Sequence, residues 1–161
     1  MSKKLTISVN LGYKYRLYPT KEQKKALDHQ MFVSNQAYNI CLNLFKKQSN
    51  KNQKLKKENR VYKTAVQYDK IVKRALRLRK ISFSTVVTQQ ARINFQKAVK
   101  STFTAKNVAE RMKAITNAQT AKEKKKAYNL GFPNFHSSKN PRQSFVWNNE
   151  GIKLSIKKKN S

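Results

Sequence analysis

Lys14 and Arg16 alternate with Tyr13, Tyr15 and Tyr18 near the start of this chain, and Lys73, Arg74, Arg77, Arg79 and Lys80 crowd into a short stretch further on. Side chains of these types grip phosphate. Lysine acts as a point charge, whereas arginine offers a planar fork of donors that matches an oxyanion bidentately. The pattern extends over the whole chain. Thirty-seven lysines and arginines face seven acids, a formal net charge of +30. Self-repulsion on that scale disfavours a compact monomer unless something negative sits against it. A phosphate backbone fits best, because each neutralised phosphate releases a condensed counterion. Lysines outnumber arginines 29 to 8, so most of this field is general and the few arginines are the candidates for defined contacts.

Catalytic chemistry finds little to work with. Metal-dependent phosphodiester cleavage needs carboxylates that hold cations beside the scissile phosphate. The acids are Glu22, Asp28, Glu58, Asp69, Glu110, Glu123 and Glu150, each among basic or polar neighbours and none on an apolar strand. Neither His29 nor His136 belongs to a recognisable triad. Cys41 is the single cysteine, which excludes an intrachain disulfide and a cysteine-based zinc cluster. Its neighbours Ile40, Leu42 and Leu44 mark it as a small core residue. No phosphate-cradling glycine-rich loop is present. The residues therefore point to binding, with no catalytic residue, metal or cofactor. With no secretory signal and no membrane-spanning run, a cytoplasmic location is the default expectation.

These residues need elements to position them. Residues 5–18 alternate between two faces and read as a strand that Pro19 ends. Thr20 to Gln23 fits a capping box, and a helix should follow over about 21–47, with Val33, Ala37, Ile40 and Leu44 beside Ser34, Tyr38, Cys41 and Phe45 on a broad apolar stripe. The polar, basic stretch 46–60 reads as a mobile loop. Helical spacing predicts a second helix over about 61–80. A third is expected at about 83–103, capped by Ser82 and burying Val87, Ala91, Phe95, Ala98 and Phe103. A fourth is expected at about 105–128, with Val108, Met112 and Ile115 inward. After a break at 131–141, residues 142–148 and 151–156 read as short strands. Leu, Ile, Val and Phe number 37 of 161 residues, which predicts a folded but thin core. Strands on either side of a helical block argue for an α+β chain and against a doubly wound fold.

Four segments, in order, resemble one family. They are Tyr13 to Gln23 (YKYRLYPTKEQ), Ala37-Tyr38-Asn39, residues 86–103 (VVTQQARINFQKAVKSTF), and Gly131 to Phe135 (GFPNF) followed by Pro141 to Phe145 (PRQSF). Together they are similar to the amino-terminal part of TnpB proteins, the RNA-guided nucleases encoded by insertion sequences. Residues 46–80 depart most from that pattern, and nothing is carried over there. The resemblance implies a long-helix recognition bundle (21–128) inserted in a partial wedge-type β-barrel (1–20 and 129–161). It implies partners as well: structured RNA clamped as a guide scaffold, and double-stranded DNA read at a short motif. The family's RuvC-like nuclease half would follow residue 156, so the resemblance suggests a truncated frame, a split half or a nuclease-free remnant.

Site residues follow from this. Gln89 matches the family's glutamine on the motif-reading helix, where it could bond an adenine edge bidentately, and Thr85 one turn earlier could touch a thymine methyl. If both terminal strands share a barrel, Lys14, Arg16, Arg142 and Gln143 form a basic wall for RNA phosphates. Arg74, Arg77, Arg79 and Lys80 suit a nonspecific phosphate grip. Tyr18 and Trp147 offer rings for base stacking. Two other readings compete: a stand-alone DNA-binding regulator, and a fragment complementing a separate nuclease half.

Overall fold

The computed structural model describes residues 18–137, 139, 144 and 145. Among them every regular element is helical: α1 (Lys21–Gln53), α2 (Ala65–Leu78), α3 (Thr85–Thr102), α4 (Ala105–Asn117) and α5 (Ala121–Tyr128), with a short 3-10 turn at Lys57–Asn59. The expected α+β class with its partial β-barrel is thereby corrected. No strand, sheet or barrel occurs among the described residues. The physical reason is that the helices bury their apolar faces on one another, so the core closes without a sheet. The segments expected as strands, 5–18, 142–148 and 151–156, lie outside the described residues except for Tyr18, Ser144 and Phe145, which carry no strand.

The helix starts are written locally. Thr20 accepts the Gln23 N–H at 3.3 Å while Gln23 accepts the Thr20 N–H at 2.9 Å, the reciprocal box expected there. Thr64 and Gln67 repeat it at α2, and Thr120 and Glu123 at α5. The last of these splits the single helix expected over 105–128 into two. The third helix begins later than expected, with Ser84 at the N-cap position. Ser82 instead faces His29, its hydroxyl 3.1 Å and its carbonyl 2.9 Å from Nε2.

Nor is the stretch after residue 45 a loop from the outset, because α1 continues to Gln53. Polarity alone does not end a helix, and residues 46–53 contain neither glycine nor proline. Asn52 holds this end down. It is buried, donates to the Val61 carbonyl at 2.8 Å and accepts the Val61 N–H at 3.2 Å. The chain then turns back, and α2 runs antiparallel to α1 until Arg79 reaches Gln36 at 2.8 Å. Starting from the level of His29, α3 runs parallel to α1.

The core lies between these three helices: Val33, Ala37, Tyr38, Cys41 and Leu42 from α1, Tyr68, Val72 and Leu76 from α2, and Val87, Ala91 and Phe95 from α3. Burial, reinforced by the Asp69 carboxylate and opposed by Arg92, pushes the Cys41 thiol up to about 12, so it is an inert core residue. Asp69 Oδ1 and Arg92 Nε pair at 2.8 Å and join α2 to α3, the one ion pair among the described residues. By contrast α4 and α5 pack chiefly on each other. Here Phe103, Val108 and Met112 are exposed, not inward as expected.

Two of the family-like segments meet in space. Residues 130–136 run back along α1. Gly131 sits at φ +78°, a left-handed conformation that glycine adopts without strain, and its carbonyl accepts from the Thr102 hydroxyl at 3.0 Å. Arg111 donates to the carbonyls of Thr102 at 2.7 Å and Leu130 at 3.0 Å, and its guanidinium lies 4.6 Å from the Phe132 ring centroid. Further on, the Asn39 amide donates to the His136 carbonyl and accepts the His136 N–H, both at 2.8 Å. The His136 ring stacks on Tyr38 at 3.9 Å. The Gly-Phe-Pro segment thus meets the end of the 86–103 segment at Thr102 and Phe103, and its continuation at His136 meets Tyr38 and Asn39.

Removing Asp69 leaves Arg92 inside a mostly covered site without its counter-charge. Asp69→Ala is expected to destabilise by about 1–3 kcal/mol, read from the urea midpoint. Asp69→Leu with Arg92→Met should lose less than Asp69→Ala alone. His136 titrates below its ordinary value because its ring is partly covered. Its unfolded form therefore binds a proton first as pH falls. The stability it contributes is complete above about pH 6.5 and declines as pH falls from there through the lowered folded value. His136→Gln should flatten that part of the stability profile.

Candidate nucleic-acid interface

The site residues expected from the sequence separate into two groups. Lys14, Arg16, Arg142, Gln143 and Trp147 lie outside the described residues. The others gather at one end of the bundle, where the α2–α3 connection passes α1 at the level of residues 29–36. Thr85 and Gln89 are both exposed and stand one turn apart on α3, while Gln90 is half-buried. Arg74 and Arg77 are exposed on α2. Arg79 caps α2 and is held by Gln36. Lys80 follows at φ +54°, and the Ile81 N–H reaches the Leu76 carbonyl at 3.0 Å, which closes the helix in a left-handed turn. Part of this cation cluster therefore serves the helix end. Tyr18 is 82% exposed just before the α1 cap.

A second basic surface lies towards the opposite end, and the sequence reading did not select it. A groove of about 1560 Å³ opens between the second half of α1, the α4–α5 pair and residues 128–134. Lys46, Arg111, Lys122, Lys125 and Lys126 line it. Glu123 is its single acid, and that carboxylate is occupied. It accepts the backbone N–H groups of Thr120 at 3.1 Å and Gln119 at 3.0 Å. These bonds, Thr120 first, hold it below the usual carboxylate range. It stays ionised as a helix cap, and the lysines face the groove without a neutralising partner among its lining residues. Lys125 and Lys126 also complement the α5 C-terminus, but Lys46 and Lys122 have no such role. The T-x-x-E pattern at 120–123 was the signal that could have revealed α5, and with it this wall.

The exposed helix face around Gln89 and the lysine groove can both hold phosphates. Both carry amide side chains of the type that bonds base edges, Gln89 on the first and Asn50, Gln53, Asn129 and Asn134 in the second. Among the described residues no group of His, Cys, Asp and Glu is placed to hold a metal ion, and no helix is long and apolar enough to cross a membrane.

Comparison with known proteins bears on the first third of the chain. No curated protein and no solved structure matches it significantly. Within the matched segment the described residues hold one unbroken helix, Lys21–Gln53, with Thr20 as its N-cap and Lys54 as its C-cap. Residues 8–54 match the helix-turn-helix domain of the IS605 OrfB family, a DNA-binding domain of transposon-associated proteins, consistent with the amino-terminal part of a TnpB-like protein.

Proposed function

We propose that this chain is a non-catalytic nucleic-acid-binding module of a TnpB-like transposon protein, which binds a structured guide RNA scaffold and a short DNA motif. One observation carries the reading. Of the cations on the described residues, only Arg92 is neutralised by an internal ion pair, so the bundle presents its charge outward, and two of its basic surfaces suit nucleic acid in different ways. One is the lysine groove, suited to the backbone of a folded RNA. The other is the α2–α3 corner, where Arg74 and Arg77 would hold DNA phosphates while Thr85 and Gln89 face a base edge. Lys14, Arg16, Arg142 and Gln143 would extend the RNA grip, and a separately encoded nuclease half would supply the cutting.

The helix-turn-helix match at 8–54 favours a second reading, a DNA-binding regulator that acts without RNA. The two readings differ in what co-purifies with the chain. A discrete RNA from an insertion-sequence end supports the first, and sequence-specific duplex binding by RNA-free protein supports the second.

Neutralising Lys122, Lys125 and Lys126 to Gln is expected to weaken RNA binding at all sequences and reduce the magnitude of the salt slope by about 2, because two to three phosphate contacts are lost. Gln89→Ala should lower affinity for the preferred DNA motif by about tenfold or more with the salt slope unchanged. Equal affinity for heparin, RNA and unrelated DNA, insensitive to Gln89, would overturn the proposal.

A further inference from the structure

On the side of α1 where α2 starts, a cavity of about 450 Å³ opens between the end of α1, the 60–63 connection and the second half of α3. Its size is that of a small-ligand site. Phe95, 2% exposed, and Phe45 form its inner wall. Tyr62 and Phe103 stand at its mouth, 67% and 59% exposed. Large rings so open to water are costly unless something covers them.

The mouth is built. Buried Asn52 clips both backbone groups of Val61 to α1, which brings Tyr62 and Lys63 to the cavity. On the other side Phe132 meets Phe103 edge-to-face at 6.1 Å, and Arg111 lies over Phe132. Gln48 and Gln96 add amide groups to the lining. Gln48 donates to Asn52 and Gln96 accepts from Arg92, which leaves the Gln48 carbonyl and the Gln96 NH2 to meet an occupant. Arg60, Lys63 and Lys100 also line the cavity, and no acid does.

These features select an occupant. Aromatic walls fit a flat ring, the amides fit a hydrogen-bonding edge, and three cations fit an attached anion. A neutral apolar molecule would leave the cations unused, and a base inside a duplex cannot enter. We infer that this cavity takes one unstacked nucleobase from a single strand, with the flanking phosphates on Arg60, Lys63 and Lys100. The inference rests on the nucleic-acid reading above and adds a base-capturing site that adjoins the lysine groove, with Phe45, Ser49 and Gln53 lining both.

The test uses the full chain with a 2-aminopurine-labelled single strand, as RNA and as DNA, and with a fully paired duplex. Tyr62→Ala and Phe103→Ala, both at exposed positions, are each expected to weaken single-strand binding about tenfold, as loss of a stacking ring does. They should also abolish the change in 2-aminopurine emission while leaving duplex affinity and the salt slope unchanged. Tyr62→Trp should retain binding. Equal losses on RNA and DNA identify the base as the ligand, and a loss confined to RNA adds a contact to the sugar. Single-strand affinity within twofold of wild type in both alanine variants, or equal losses on the duplex, overturns the inference. So does displacement of the strand by a Tyr/Glu peptide as effective as a mononucleotide. If the unsubstituted chain binds neither strand nor duplex, the broader nucleic-acid reading fails as well. If it binds both and the rings are irrelevant, only the cavity assignment fails.

Discussion

The ring of Phe95 stands where three helices meet. It packs edge-on to Tyr38 at 6.0 Å and to Phe45 at 6.0 Å from α1, and tilted against Tyr68 at 5.5 Å from α2. Aromatic pairs of this geometry each add about 0.5–1.5 kcal/mol beyond area burial. That matters here because the helices carry like charge and repel. Around Phe95 the small residues Ala37, Cys41 and Ala91 let the backbones approach, and each is buried. The same ring forms the inner wall of the aromatic cavity, so the contact that closes the core also shapes a candidate binding surface.

Three of the seven acids support the fold of so basic a chain. Asp69 pairs with Arg92 where α2 meets α3. Glu123 caps α5, and Glu22 lies in the first turn of α1, accepting from the Thr20 hydroxyl. These carboxylates work at helix starts and at one interhelical contact, where the helix dipole and a partly covered partner give them most effect. The cations are left to the surfaces. Electrostatics therefore divides the molecule: local anions hold the bundle together, and the excess positive field faces outward for a polyanion.

The family-like segments were legible as segments, but not as to their purpose. Ala37-Tyr38-Asn39 and Gly131 to Phe135 could be recognised by their residues, and in the structure the first packs against the continuation of the second at His136. Both are architectural: they fasten the chain after α5 to the middle of α1. Gln89 and Thr85 differ. They are exposed on α3 and make no architectural contact of that kind, which leaves them available to a ligand.

By itself the sequence determined the charge, the capping box at Thr20 and the apolar stripe of α1. Charge follows from composition alone, and short-range hydrogen bonding and helical periodicity settle the cap and the stripe. Tertiary structure decided the rest. Asn52 reaches Val61 and carries α1 through a stretch whose polarity suggested a loop. The described residues form a bundle that needs no sheet, because α2 and α3 cover the α1 stripe. The lysine groove and the aromatic cavity join residues from α1 to ones some fifty to ninety positions later. No local pattern encodes such a surface, because it exists only once chain entropy has been overcome by packing distant segments together.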